Sequence, residues 1–274
     1  MDIAERKRWH LQDMNIHSTG VRMLAAGEQG LVVDFGDEIS VQINRMVQRL
    51  AEDLADLKLE GVLEIIPTYR SVMIYFDPLV ITRLQFTECI QTLLDQLKTE
   101  ETGQLPGRVL HVPVCYGGVF GPDIDFVARR TGLTVEEVIN VHTSKAYFIY
   151  MLGFTPGFPY VGGMPEQLIV PRLAKLRVKI PEGSVGISGR QTGFYTVESP
   201  GGWRIIGRTP IKAFNPEQAH PFLFAAGDYL QFKAISVDEF FAIRREVEAG
   251  TYRPEITTLQ PDEGETVEQV DSNG

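Results

Sequence analysis

A chain of 274 residues is longer than one average core requires, so two domains are expected, and 43% hydrophobic with 23% charged residues is ordinary globular composition. A formal charge of −10 argues against binding a phosphate backbone, which Lys and Arg must neutralise, so nucleic acid is excluded as the main partner. No apolar run approaches the roughly 20 residues that span a bilayer, and the N-terminal MDIAERKRWHLQDMN has no apolar signal core, so no membrane role and a cytoplasmic setting are expected.

Residues 1–18 are polar and aperiodic and read as a flexible arm, followed by an N-terminal domain over 19–105. Val21–Ala25 and Leu31–Phe35 resemble two strands around a Gly27–Gly30 turn. Asp37 is placed to cap a helix in which Ile39, Ile43, Met46, Leu50, Leu54 and Leu57 recur every three or four residues. Val62–Tyr69 and Ser71–Phe76 are β-branched and aromatic, hence strands, and Leu84, Ile90, Leu93, Leu94 and Leu97 mark a second amphipathic helix. This order suggests a small α/β sandwich within an α+β protein.

A second domain is expected over 106–245. Val109–Cys115 reads as a strand, and Pro113, which lacks a ladder donor, pushes it towards an edge or a crossover. A short helix around Asp125–Arg130 precedes one that Thr134 and Glu137 open with a capping box and that runs to about Lys145. Beyond it, apolar runs at Tyr147–Phe154, Leu168–Val170, Ser184–Ile187, Arg204–Ile206 and Tyr229–Phe232 alternate with Gly and Pro, the pattern of a β-barrel or compact sandwich. Residues 254–274 are acidic and read as a disordered tail.

The chemistry concentrates between Gly153 and Pro210, which holds eleven of the 26 glycines. Such clustering suits main-chain N–H groups aimed at an anion. From His142 to Pro210, eight cations against three acids leave a local +5 in an acidic chain, so a carboxylate or phosphate is the expected guest. Arg208 follows the apolar Ile205–Ile206 and can grip a carboxylate in a bidentate fork, or close its loop with a salt bridge. Gln191, Thr192, Gly193 and Tyr195 offer neutral donors for an amide carbonyl, unless they form an ordinary turn with Tyr195 in the core.

His142 shares a helical face with Val135 and Val138, so a buried, hydrogen-bonded histidine competes with a catalytic base. Cys89 and Cys115 are too few for a disulfide framework, and nothing activates Cys115 as a nucleophile. The five histidines show no HExxH spacing and no CxxC accompanies them, so no metal site is expected. Neither a GxxxxGK[ST] loop nor a strand-flanked GxGxxG is present, which places any ATP largely on another chain.

The stretches Pro67–Ser71 (PTYRS), GFTPGFPYVGGMP (Gly153–Pro165), PEGSVGISGRQTGFYT (Pro181–Thr196) and SPGGWRIIGRTP (Ser199–Pro210) resemble the allophanate hydrolase subunit one family. That family includes B subunits of prokaryotic 5-oxoprolinase and the sensor-kinase inhibitor KipI. The resemblance runs from about Gly20 to Ser236 and implies a C-terminal cyclophilin-like β-barrel. It further implies a role, inactive alone, in an ATP-dependent complex that hydrolyses 5-oxoproline to glutamate, with a subunit-two-type C protein and an A subunit as partners and a small anionic amide as substrate.

Gln191, Arg208 and His142 are then the catalytic candidates and Thr192, Gly193, Tyr195 and Thr209 the substrate-binding ones. Phe154, Pro156, Phe158 and Tyr160 form the partner-binding candidate. Two alternatives stay open: an inhibitor of a sensor histidine kinase, docking through that proline-rich surface, and the carboxyltransferase half of a urea- or allophanate-type enzyme. Gly189-Arg190 replaces the family's usual Gly-Gly pair, adding a charge beside the proposed pocket.

Overall fold

The computed structural model describes residues 14–15, 20–99 and 107–259, which fall into two compact units, one on either side of residues 100–106 in the sequence. The link and most of the expected N-terminal arm and C-terminal tail lie outside the described residues. Two parts of those expectations are corrected. Met14–Asn15 (β1) pair with residues 22–23, and Ile256–Leu259 (β15) form a strand, so regular structure reaches into both segments.

In the first unit, β1, β2 (Arg22–Ala25), β3 (Gly30–Asp34), β5 (Ser71–Phe76) and β4 (Val62–Pro67) make a five-stranded antiparallel sheet in the order β1-β2-β3-β5-β4. Alternation in β5 buries Val72, Ile74 and Phe76. They share a core with Val47, Leu50 and Leu54 of helix α1 (Val41–Leu57) and Phe86, Ile90 and Leu94 of α2 (Arg83–Thr99). Ser40, not Asp37, caps α1 by accepting the Ile43 N–H at 3.2 Å. Asp37 instead pairs with Arg22 and Arg70, which also hold Asp34. Asn44, wholly buried, donates to the carbonyls of Thr68 and Tyr69 and so anchors the PTYRS turn to α1.

In the second unit, β11 (Gln191–Phe194), β10 (Ser184–Ser188), β13 (Arg204–Arg208), β6 (Gly107–Tyr116), β14 (Tyr229–Ala234), β7 (Tyr147–Leu152) and β8 (Pro159–Val161) lie in that order. The end strands β8 and β11 come beside each other, which nearly closes a barrel. Its core holds Val112, Val114, Tyr147, Ile149, Val185, Phe194, Ile206 and Phe232, packed against helices α3 (Ile124–Thr131) and α4 (Val135–Thr143). The capping box of Thr134 and Glu137 is present.

Two expectations change here. β6 is a central strand, paired with β13, β14 and β15. The His111 N–H donates to the Glu255 carbonyl on the β15 side, so two residues on, Pro113 turns its missing N–H to the same side, between the end of β15 pairing and the start of β13 at Cys115. In Leu168–Val170 the outer two residues are buried and Ile169 is exposed, and the segment forms the end of a 3-10 turn and an isolated bridge from Val170 to Gly189 rather than a strand. A separate ribbon, β9 (Arg177–Ile180) with β12 (Ser199–Gly201), and a helix α5 (Val237–Glu248) complete the unit.

Candidate functional site

The Pro181–Gly183 turn gathers one end of the barrel. Gly183, at φ +80°, donates to the Tyr195 carbonyl at 2.7 Å and accepts from the Thr209 N–H at 2.9 Å. Only glycine suits that turn, because a side chain would meet the Thr209 carbonyl as well as the left-handed backbone. Arg208 enters this end from β13 and its Nε–H donates to the Glu182 carbonyl at 2.8 Å. Among the described residues its two terminal nitrogens have no hydrogen-bond acceptor and no carboxylate within bridging distance. Burial, with Arg244 nearby, draws the half-buried guanidinium below its ordinary value, while Glu182 and Glu198 act in the opposite direction.

Neutral donors stand at the same end. The hydroxyls of Thr155 and Thr196 lie 3.0 Å apart, tying the GFTPGFP loop to the residue after Tyr195. The Tyr195 ring packs between Phe158 and Trp203, and burial raises its phenol above the ordinary range, so it stays protonated. Thr209 is buried, with its hydroxyl 3.4 Å from the Ile211 N–H.

The other candidates sit elsewhere. Ser184 of β10 pairs with Arg208 while Ser188 pairs with Gln191, so these two catalytic candidates occupy opposite ends of one strand. Four strand steps at about 3.3 Å each separate them by roughly 13 Å before the width of the sheet is added. Gly193 lies mid-strand in β11, where an added side chain would meet the Trp203 ring edge at 3.6 Å, an ordinary contact.

His142, a catalytic candidate, lies in the protein interior. It is wholly buried, stacked on Phe232 at 4.5 Å, and both ring nitrogens are engaged. The Thr192 hydroxyl donates its single proton to the Gly186 carbonyl, so it accepts from His142 Nε2–H at 2.7 Å. Nδ1 then accepts from the Tyr116 hydroxyl at 2.8 Å. Burial lowers the imidazole to about 3, so this neutral relay is inert at physiological pH and holds α4, β6 and β11 together. Thr192, part of it, is likewise buried.

The positive island is narrower than its composition suggests. Arg177 grips the Asp123 carboxylate at 2.7 and 2.8 Å, Lys179 pairs with Glu198, and Arg190 pairs with Glu166. Arg204 lies over the Phe126 ring at 3.6 Å. Arg208, Arg172, Lys175 and Lys145 keep no carboxylate partner among the described residues. Sequence reasoning missed Asp123, which stands at the N-cap position of α3 yet makes no side-chain cap; it accepts Arg177 and the Ile205 N–H instead. It also missed the Thr155–Thr196 pair, because threonines in loops carry no pattern of their own.

The partner-binding candidates divide by exposure. Phe154 is 69% exposed in the left-handed region at φ +63°, and Pro156 is exposed, whereas Phe158 is buried and Tyr160 half-buried. Rings run from Phe154 to Phe158 and on to Trp203, each step 5.8 Å between centroids.

The chain thus combines a nearly closed barrel with a small α/β sandwich, and Arg208 stands at one barrel end. Residues 21–224 match the family described as carboxyltransferase domain, subdomain C and D, and the chain belongs to that family. Among its relatives, the 5-oxoprolinase B subunit of Bacillus subtilis (strain 168) is 38% identical over 229 residues, covering 80% of this chain and 95% of that protein. The 5-oxoprolinase side of the motif resemblance is therefore borne out. The crystal structure of TTHA0988 superposes with a TM-score of 0.67 at 32% identity, over 76% of this chain and 40% of that one. The Kluyveromyces lactis urea carboxylase shares the fold, with a TM-score of 0.71 at 21% identity over 90% of this chain and 24% of that one.

Proposed function

We propose that this chain is the B subunit of an ATP-dependent 5-oxoprolinase and that its barrel holds the substrate at the Arg208 end. The reaction adds water across the lactam C–N bond of 5-oxo-L-proline to give L-glutamate, coupled to ATP hydrolysis. The substrate carries one carboxylate and one neutral amide. Arg208, half-buried and lacking an acid partner, is the observation that carries this reading: a guanidinium with free terminal N–H groups suits a carboxylate in a fork. The half-buried Thr155 hydroxyl, paired with that of Thr196, supplies a neutral donor for the amide.

The C and A subunits are the partners, with nucleotide bound largely by them, since this chain has no phosphate-loop motif. Support for an assembly also comes from TTHA0988, in which the matched fold is less than half of a longer chain. Reconstitution tests the reading. Glutamate release from 5-oxoproline is expected only when this chain, the C and A subunits and ATP are all present. Full activity from C and A alone would overturn it.

A further inference from the structure

Residues 213–223 of the second unit fold back on themselves as a short hairpin. The Leu223 N–H donates to the Ala213 carbonyl at 2.9 Å and the Asn215 N–H to the Pro221 carbonyl at 2.8 Å, and the Phe214 and Phe222 rings lie 5.1 Å apart. Arg108 of β6 steadies the hairpin base, gripping Asp228 at 2.9 Å and reaching the Leu223 carbonyl at 3.5 Å. Beside it α5 ends, and Gly250, at φ +71°, turns the chain so that the Thr251 and Tyr252 N–H groups both donate to the Glu246 carbonyl. Hairpin and turn together line a cleft of about 570 Å³, within the usual range of small-molecule sites. None of the residues proposed to hold the lactam lines it.

Floor and rim differ in chemistry. Ile211, Leu223, Val247 and Tyr252 pack on the barrel core and line the cleft with apolar surface. The rim carries charges of both signs. Arg108 is neutralised by Asp228, and Glu248 by Arg244 at 2.9 Å. Lys212 and Arg253 remain, neither with a carboxylate partner among the described residues, together with Glu217 at the hairpin tip, which has no cation partner among them. Arg253 engages only Nη1, on the Gly250 and Tyr252 carbonyls at 3.3 and 3.0 Å, which leaves Nε and Nη2 without an acceptor among the described residues. The end of α5 lines the same cleft with Val247, Glu248 and the cap residue Ala249, and the negative end of a helix dipole favours a cation. The two cations therefore suit a carboxylate, Glu217 and the helix end suit an ammonium, and the floor suits hydrocarbon.

We propose that this cleft binds a free α-amino acid with a bulky apolar side chain. Its carboxylate lies between Lys212 and Arg253, its ammonium at Glu217 and the end of α5, and its side chain on the floor of Ile211, Leu223 and Val247. A simple anion would meet Glu217 with nothing to offset the repulsion, and a simple amine would meet the two cations; a zwitterion satisfies both signs. The site stands independently of the 5-oxoprolinase reading.

Amide chemical-shift titration of the intact chain with L-phenylalanine tests it, with L-phenylalaninamide, N-acetyl-L-phenylalanine and L-glutamate as comparison ligands. L-Phenylalanine is expected to give saturable shifts in residues 211–223 and 247–256. The amide lacks the carboxylate and the N-acetyl compound lacks the ammonium, so each should bind about 10-fold more weakly, the usual loss for a charged hydrogen bond. L-Glutamate, whose second carboxylate would meet the apolar floor, should weaken by at least about the same factor. Lys212→Ala and Arg253→Ala should each weaken L-phenylalanine about 3- to 10-fold while barely changing the amide. Lys175→Ala, an exposed cation outside the cleft, should change nothing. Shifts elsewhere that match the wild type will show that each variant is folded. Absence of saturable cleft shifts with L-phenylalanine overturns the site, as does a comparison ligand that binds equally well. Wild-type affinity in both Lys212→Ala and Arg253→Ala overturns it too.

Discussion

His142 shows how one residue's environment decides between two roles that its sequence position leaves open. Its helical face was legible in the spacing from Val135 and Val138; the Tyr116 and Thr192 hydroxyls that occupy its nitrogens, 26 residues before and 50 after, were not. The titration follows. The folded imidazole protonates only near 3 because it is buried, whereas the unfolded one protonates at its ordinary 6.5. Between those values the unfolded chain binds more protons, so this group lowers stability as pH falls through the window and has no effect above it. The slope it contributes is about 1.4 kcal/mol per pH unit. Denaturant titrations of His142→Gln at pH 8 and pH 5 should show a variant about 1–3 kcal/mol less stable at pH 8. Its loss of stability on acidification should be shallower than that of the wild type. In the reconstituted enzyme it should keep the wild-type pH–rate profile; a lost acidic or basic limb would restore His142 as a proton-transfer group.

At the scale of elements, long periodic segments were legible and short ones were not. Helices α1, α2 and α4 and strands β3, β5 and β14 follow from spacing that each segment carries internally. β8, β9, β11 and β12 span three or four residues each, all but β9 contain Gly or Pro, and they exist because distant partners complete their ladders. β9 is the clearest case. Its anchor, Arg177, counted in the sequence as one more cation of an anion site, and only the fold brings it to Asp123, 54 residues earlier. Breaking that largely buried pair should cost about 2–4 kcal/mol. Asp123→Asn should accelerate hydrogen exchange at the amides of β9 and β12 while the β6 and β14 amides keep their protection relative to global unfolding. Uniform acceleration in all four strands would show that the pair stabilises the barrel rather than the ribbon.

For the whole molecule, composition pointed to one segment and part of its charge, but not to its geometry. Gly153–Pro210 does contain the candidate site, yet several of its glycines serve close packing, as at Gly201 and Gly202, where a side chain would displace the Tyr195 phenol or the Leu176 and Arg172 side chains. The strand register then separates the candidates into two ends. With the substrate carboxylate at the Arg208 end, as proposed, Gln191 lies outside the site. The direct test is kcat/KM for 5-oxoproline in the reconstituted enzyme with Arg208→Ala and with Gln191→Ala. Arg208→Ala should lose about 30- to 300-fold, largely through KM, as removal of a charged hydrogen-bonding partner does, and Gln191→Ala should stay within threefold. An unchanged Arg208→Ala enzyme beside a crippled Gln191→Ala enzyme would contradict it and move the site to the opposite end of the barrel.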